Sequence, residues 1–171
     1  EYTSFIDEHS NNSGAVITAG FSRDTTDRIE FPLRGYLSKV AAEMAVPGSD
    51  LEYYKLSIRA RWYRRLSKDL VLGLSGTMGY GGGYGDAGQL PFFKNFFAGG
   101  VSSVRGYAAG SLGPKAGGQS PGDPLGGSRR LLANANLYFP VPGLENGDNT
   151  RLSLFMDTGQ VYGSDEPLSL S

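Results

Sequence analysis

Cysteine is missing from this chain of 171 residues, and histidine occurs once, at His9. Without cysteine there is no disulfide scaffold and no thiolate zinc site. A single imidazole argues against His-dependent triads and multi-His metal centres. An excess of one charge is missing too. The 16 Lys and Arg against 17 Asp and Glu leave a net charge of −1, so no basic surplus points to nucleic acid and no acidic tail is present. No run of apolar residues is long enough for a transmembrane helix, and no secretory signal peptide is visible. The opening EYTSF reads as the middle of something, either a mature chain or an excised piece.

What is abundant is glycine, at 26 residues, with aromatics at 12%. That pairing suits β-structure with many turns, in a chain long enough for one domain with a sizeable core. Helical periodicity is nearly absent, and two-residue alternation dominates. In 69–80, Leu70, Leu72, Leu74, Met78 and Tyr80 share one face, opposite Val71, Gly73, Ser75, Thr77 and Gly79. In 52–62 the contrast is sharper. Tyr54, Leu56, Ile58, Ala60 and Trp62 oppose Lys55, Ser57, Arg59 and Arg61. The stretches 14–22, 129–139 and 151–159 alternate in the same way, and 34–46 does so weakly, best at Val40–Val46.

These are six antiparallel strands of an all-β meander, each roughly 9–14 residues long. Soluble strands are commonly about 5–6 residues, whereas a strand that crosses a membrane needs about 9–11. The second face is polar and charged, as a water-filled lumen requires. Aromatics fall near strand ends at Tyr53, Tyr54, Trp62, Tyr63, Tyr80, Tyr84, Tyr138 and Phe139, where outer-membrane barrels carry girdles. A soluble β-sandwich accounts for the alternation but not for the strand length, nor for three cations on one strand face.

In a meander, alternate connections fall at opposite ends. Those at 24–35, 64–68 and 140–150 share one end. The tight PGSD turn at 47–50 and a long connection at about 82–127 share the other. A loop of that length is usually functional or disordered. KAGGQSPGDPLGG, 115–127, reads as disordered. LPFFKNFFAGGVSSVRGY, 90–107, is too apolar for that, and Phe92, Phe93, Phe96 and Phe97 are expected to pack inside a barrel.

Several motifs carry no chemistry. GYGDAG at 83–88 has the G-x-G-x-x-G spacing, but Pro91 stands where a helix should follow. DEHSNNSG at 7–14 lacks calcium-loop spacing, and Asn11-Asn12-Ser13 is a formal glycosylation triplet of a kind common by chance. No nucleophile stands beside a credible base, so nothing supports an enzyme. The row Lys55, Arg59 and Arg61 reads as solvated lumen charge, with an anion-selective wall or ion-pairing as the alternatives.

Arg105 is the sharper feature, a lone cation between Val104 and Gly106 in a glycine-rich loop. With Tyr107 and the upstream phenylalanines, it suggests a buried tip. A buried guanidinium needs a carboxylate or several acceptors. Asp157, on the polar face of the last strand between Phe155 and Gly159, is the candidate partner. An Arg–carboxylate fork would fix the position of the loop.

At these residues the sequence resembles the BamA family, outer-membrane protein assembly factors of Gram-negative bacteria. PFFKNFFAGGVSSVRGYAAGSLGPK resembles the sixth extracellular loop of that family, and its V-R-G-[FY] motif is matched by Val104, Arg105, Gly106 and Tyr107. VPGSDLEYYKL and RLSLFMDTGQVYG resemble neighbouring strands, and the similarity runs over most of 16–163. The resemblance implies a sixteen-stranded transmembrane β-barrel preceded by periplasmic POTRA domains. The whole chain, 1–171, would hold about the eighth to the thirteenth strands, without the first and last strands that form the lateral gate.

The resemblance also implies an arginine that reaches into the lumen to acids on the barrel wall. Asp157 matches one such acid. A second would fall near Tyr138, where this chain has none, and the loop between Lys115 and Gly126 is short for the family. The implied function is folding and insertion of β-barrel proteins in the outer membrane, with no enzymatic step, cofactor or metal. The implied partners are the lipid bilayer, nascent outer-membrane proteins, and assembly lipoproteins bound through POTRA domains that this chain lacks. A polypeptide-secretion barrel of the two-partner type and a soluble β-sandwich binding module are the alternatives. Alone, the chain is expected not to assemble outer-membrane proteins. It is also expected to leave edges at 13–24 and 150–162 that self-pair with another copy or aggregate.

Overall fold

A computed structural model of the chain describes residues 14–118, 122–142 and 150–163. His9, the carboxylates beside it and the Asn11–Ser13 triplet lie outside the described residues, as do parts of the 115–127 and 140–150 connections. Six strands form one antiparallel sheet in sequence order: β1 (Val16–Asp24), β2 (Gly35–Ala45), β3 (Tyr53–Arg65), β4 (Val71–Gly83), β5 (Arg129–Pro140) and β6 (Arg151–Tyr162). Each pairs with the next through a continuous register. Among the described residues the remaining regular structure is three single turns of 3₁₀ helix, all between β4 and β5. No helix of the described residues is long and apolar enough to cross a membrane.

The register stacks like residues into rows. Phe21 opposes Val40, Val40 opposes Ile58, Ile58 opposes Met78, and Met78 opposes Leu131. One step along the strands, Ser22, Lys39, Arg59, Thr77 and Leu132 form the neighbouring row on the opposite face. Alternation therefore sends most apolar residues one way and most polar ones the other, Leu132 being an exception on the polar side.

The two faces are dressed in reverse of a soluble protein. The apolar face is uncovered: Phe21 is 65% exposed, Leu154 66% and Met156 72%. The described residues of the connection 84–128 lie instead on the polar face. A β-sandwich would cover the apolar face, so the sandwich reading fails within the described residues.

The ends of three strands differ from the sequence expectation. β3 runs to Arg65, β4 to Gly83 and β6 to Tyr162. In β4 the glycine-rich end reads as loop in sequence, yet it is strand that has given up side chains to let the loop approach. A Cβ on Gly79 would lie 2.7 Å from the Phe96 ring, and one on Gly81 would lie 2.9 Å from Leu90. The 47–50 turn forms as read, closed by the Ser49 N–H donating to Val46 O at 3.0 Å.

The described residues of 115–127, namely 115–118 and 122–127, do not show the disorder their composition suggests. They form a narrow ladder. Lys115 bridges Pro124, Ala116 N–H donates to Asp123 O at 2.9 Å, and Leu125 N–H donates to Pro114 O at 2.9 Å. Of the four phenylalanines expected inside, only Phe96 is buried, at 4% exposure. Phe93 and Phe97 remain about half exposed.

Candidate functional site

The loop tip is folded by its own backbone before it meets the wall. Gly100 bridges Val104, and Ser103 Oγ accepts from the Gly99 N–H and donates to Gly99 O, both at 2.8 Å. Gly99 and Gly100 carry φ of +117° and +91°, values that favour glycine. A Cβ on Gly99 would run into the Ala108 carbonyl. This turn presses Val104 into a small apolar patch with Ala98, Leu132 and Val161, flanked by Leu112. Leu132 and Val161 belong to the otherwise polar face of β5 and β6, and they form the floor under the tip.

Beside that patch, Arg105 meets Asp157 of β6. Its backbone N–H donates to Oδ2 at 2.9 Å, Nε to the same oxygen at 2.6 Å, and Nη2 to Oδ1 at 2.6 Å. Nη2 also donates to Asn136 Oδ1 at 2.8 Å. The guanidinium stacks over Phe155, with Cζ 3.6 Å from the ring centroid. Asn134 completes the group. Its Nδ2 donates to Asp157 Oδ1 at 2.9 Å and to Ser103 O at 2.6 Å, and its Oδ1 accepts from Ser75 Oγ at 3.2 Å.

Asp157 thus accepts four hydrogen bonds while its side chain is only 3% exposed, against 24% for Arg105. Charge-assisted bonds of this fork geometry are the strong kind, and a dry carboxylate requires them. The hydrogen bond to Asp157 pushes the already high Arg105 pKa further up.

The motif residues are treated unequally. Val104 is buried at 3% exposure and Arg105 is half-buried. Gly106 has φ +92° and turns the chain away, leaving Tyr107 56% exposed. The expectation of a buried tip that includes Tyr107 is therefore corrected: docking stops at Arg105. Tyr138 is half-buried, and with Arg61, Tyr63, Arg105 and Asn136 it lines a polar cavity of about 300 Å³. No acid stands there, and the second acceptor for Arg105 is the neutral amide of Asn136, two residues along the same face.

Lys55, Arg59 and Arg61 of β3 separate. Lys55 holds the loop: its Nζ donates to Lys94 O at 2.5 Å and sits 4.4 Å from the Phe96 ring centroid. Arg61 faces the cavity, and Arg59 is exposed. The GYGDAG stretch ends β4 and enters one 3₁₀ turn at Gly85–Ala87, where a Cβ on Gly85 would overlap the Glu52 carboxylate. It has no helix to receive a phosphate. Sequence alone does not single out Asn134, Asn136, Phe155, Leu132 and Val161 as parts of the site.

Comparison with known proteins bears on the family and the fold. The Omp85 superfamily domain model matches residues 5–170. The outer membrane protein assembly factor BamA of Neisseria meningitidis is 45% identical over 147 residues, 85% of this chain. A sorting and assembly machinery component 50 homolog of Xenopus laevis is 32% identical over 81% of this chain. The chain spans 18% of the Neisseria protein and 30% of the Xenopus one. The crystal structure of BamA from Haemophilus ducreyi lacking POTRA domains 1–3 superposes with a TM-score of 0.82 at 25% identity, over 94% of this chain and 35% of that one. The six strands are accordingly a segment of the sixteen-stranded barrel wall known for BamA. By its sequence and by its fold, the chain belongs to the Omp85 superfamily.

Proposed function

We propose that this chain is a barrel-wall segment, with its inward-folded loop, of an outer-membrane assembly factor that folds and inserts β-barrel proteins. The observation that carries the reading is the seating of Arg105 on Asp157 and Asn136, on the polar face of a sheet whose other face is apolar and uncovered. Such a sheet is stable with lipid outside and water inside. It resides in the outer membrane of a Gram-negative bacterium. The bilayer covers the apolar face, and nascent outer-membrane proteins are the clients. Assembly lipoproteins engage the parent protein through POTRA domains outside this segment.

The segment performs no chemistry. Its loop, on the extracellular side, braces the lumen wall from within. The VRGY residues Val104 and Arg105 make the brace, while Gly106 and Tyr107 lead the chain away from it. Asp157 is the wall partner of that brace, and it carries the whole carboxylate role because no acid occupies the Tyr138 position.

Arg105→Ala in the complete parent protein tests this. The expected result is reduced insertion of β-barrel clients, only partly restored by Arg105→Lys, because an ammonium lacks the planar fork. A parent carrying Arg105→Ala that assembles clients at the unmodified rate overturns the brace. A parent whose loss instead leaves β-barrel clients folded but strands a secreted polypeptide in the periplasm belongs to the secretion transporters.

A further inference from the structure

The loop touches the wall at a second place, about four strands from Asp157. Lys94, the last residue of the Phe92–Lys94 turn, pairs through Nζ with the Glu43 carboxylate of β2. The Tyr53 hydroxyl of β3 donates to that same carboxylate, and the Lys94 ammonium lies 5.2 Å from the Tyr53 ring centroid. The backbone oxygen of Lys94 accepts from Lys55, the cross-strand neighbour of Glu43. One loop residue is therefore gripped by its side chain through an acid and by its main chain through a base. The hydrogen bond to Glu43 pushes the Lys94 pKa up, so the ammonium is fully charged at any physiological pH.

From Lys94 to the tip the backbone has little freedom. Phe96 pairs with Gly127 through two hydrogen bonds of 2.8 and 2.9 Å, Asn95 Nδ2 donates to Leu125 O at 2.9 Å, and Ala98 bridges Leu112. Phe96 fills the space vacated at Gly79, and Arg130 of β5 donates to Phe97 O at 3.0 Å. The contacts run in sequence across β2, β3, β4 and β5, by bonds except for the packing of Phe96 at Gly79 of β4, and then Arg105 takes β6. These contacts link Lys94 to Val104 and Arg105.

We infer that Lys94 and Glu43 form a second seating pair whose role is to position the Arg105 tip, so that the loop is stapled to the wall at both ends. The two staples share one polarity, with the cation on the loop and the carboxylate on the wall. Lys94 and Glu43 act through Arg105 and are positioning residues. The inference concerns loop placement and does not depend on assembly activity.

The absence of cysteine from the chain permits a direct readout in the complete parent protein in membranes, with any other cysteines removed. Val104→Cys places a thiol in the patch where Val104 is 3% exposed, and maleimide labelling of it reports departure of the tip. Opening that is fast relative to labelling makes the rate track the open population, as it does for proteolysis. Lys94→Met and Glu43→Gln are each expected to raise the labelling rate roughly tenfold, the scale of one lost charge-assisted hydrogen bond. The double variant is expected to label no faster than either single one, because each single change already breaks the pair.

Lys94→Arg keeps the charge and is expected to label at the parent rate. Band migration of unheated protein on a gel verifies that each barrel is folded, and where Lys94→Met yields none, Lys94→Arg and Glu43→Gln carry the test. Singles that label at the parent rate overturn the inference. So does a double variant whose increase equals the product of the singles, or a Lys94→Arg protein that labels as fast as Glu43→Gln. A labelling result of either kind leaves the assembly reading standing, since that reading is tested by client insertion.

Discussion

The two faces of this one sheet obey opposite rules. On the face that carries Phe21, Val40, Ile58, Met78 and Leu131, side chains are large, apolar and uncovered. On the other, glycine, serine and asparagine alternate with charge, and a loop of about a quarter of the chain is laid over them. The outer face needs no protein partner because its contacts are non-directional and a lipid tail satisfies them. The inner face needs specific partners, since each of its polar groups must find a hydrogen bond once water is displaced. The loop is therefore held by directed bonds, and the outer surface by composition alone.

The comparison is broken most sharply at Arg105. In the complete protein, Arg105→Ala leaves Asp157 dry and with one remaining side-chain donor, Asn134. The expected loss is about 3–4 kcal/mol, the lower part of the range for breaking a buried pair because the guanidinium keeps some water contact. The midpoint for loss of the folded band in urea is the measurement. Asp157→Asn is expected to cost less, because Arg105 retains Asn136, Phe155 and solvent. Equal losses would mean that the dryness of the carboxylate is not what matters.

Next in size is a change that exchanges the two rules. Met78→Arg puts a charge into the apolar face near mid-strand, with an expected cost of about 2–4 kcal/mol in a bilayer. Thr77→Arg, one residue away on the lumen face, is expected to be much milder. The same urea titration in lipid vesicles compares them, and a Thr77→Arg loss as large as that of Met78→Arg would refute the assignment of faces.

The smallest effect separates two glycines of β4. A Cβ on Gly79 would strike Phe96, so Gly79→Ala is expected to cost about 1–3 kcal/mol by overpacking. Gly76 points the other way, and a Cβ there would meet its nearest neighbour, the Leu132 carbonyl oxygen, only at 3.9 Å. Gly76→Ala is therefore expected within about 0.5 kcal/mol of the parent. Thermal loss of the folded band suffices to rank them, and a reversed order would show that the loop does not rest on β4.

Strand existence and facing were legible in the sequence because a period of two is a strong signal when one side must be apolar. What escaped was whatever answers to the loop. The end of β4 at Gly82 and Gly83 reads as the beginning of a loop, although Gly79, Gly81 and Gly83 are all strand positions emptied for Phe96, Leu90 and the backbone of Gln89. Leu132 interrupts the polar set of 129–139 and Val161 lies beyond the 151–159 stretch, so neither stands out, although they are the floor under Val104. Arg105 and Asp157 could be matched because a lone cation in an apolar setting demands an acid. Asn134 and Asn136 could not, since a neutral amide on a wet face demands nothing. Lys94 and Glu43 lie 51 residues apart, and no local pattern links them.

Arg105 holds Asp157 with main chain and side chain together, and this has a consequence for how the loop finds its place. A guanidinium alone could reach the acid from several backbone positions, since the side chain is long and flexible. The amide cannot. A slip by one residue would offer Asp157 the amide of Val104 or Gly106 with no cation attached, or the cation with no amide. The residue therefore works as an indexing mark: of all the ways a glycine-rich segment can be threaded through a lumen, it makes one frame distinguishable from the frames on either side.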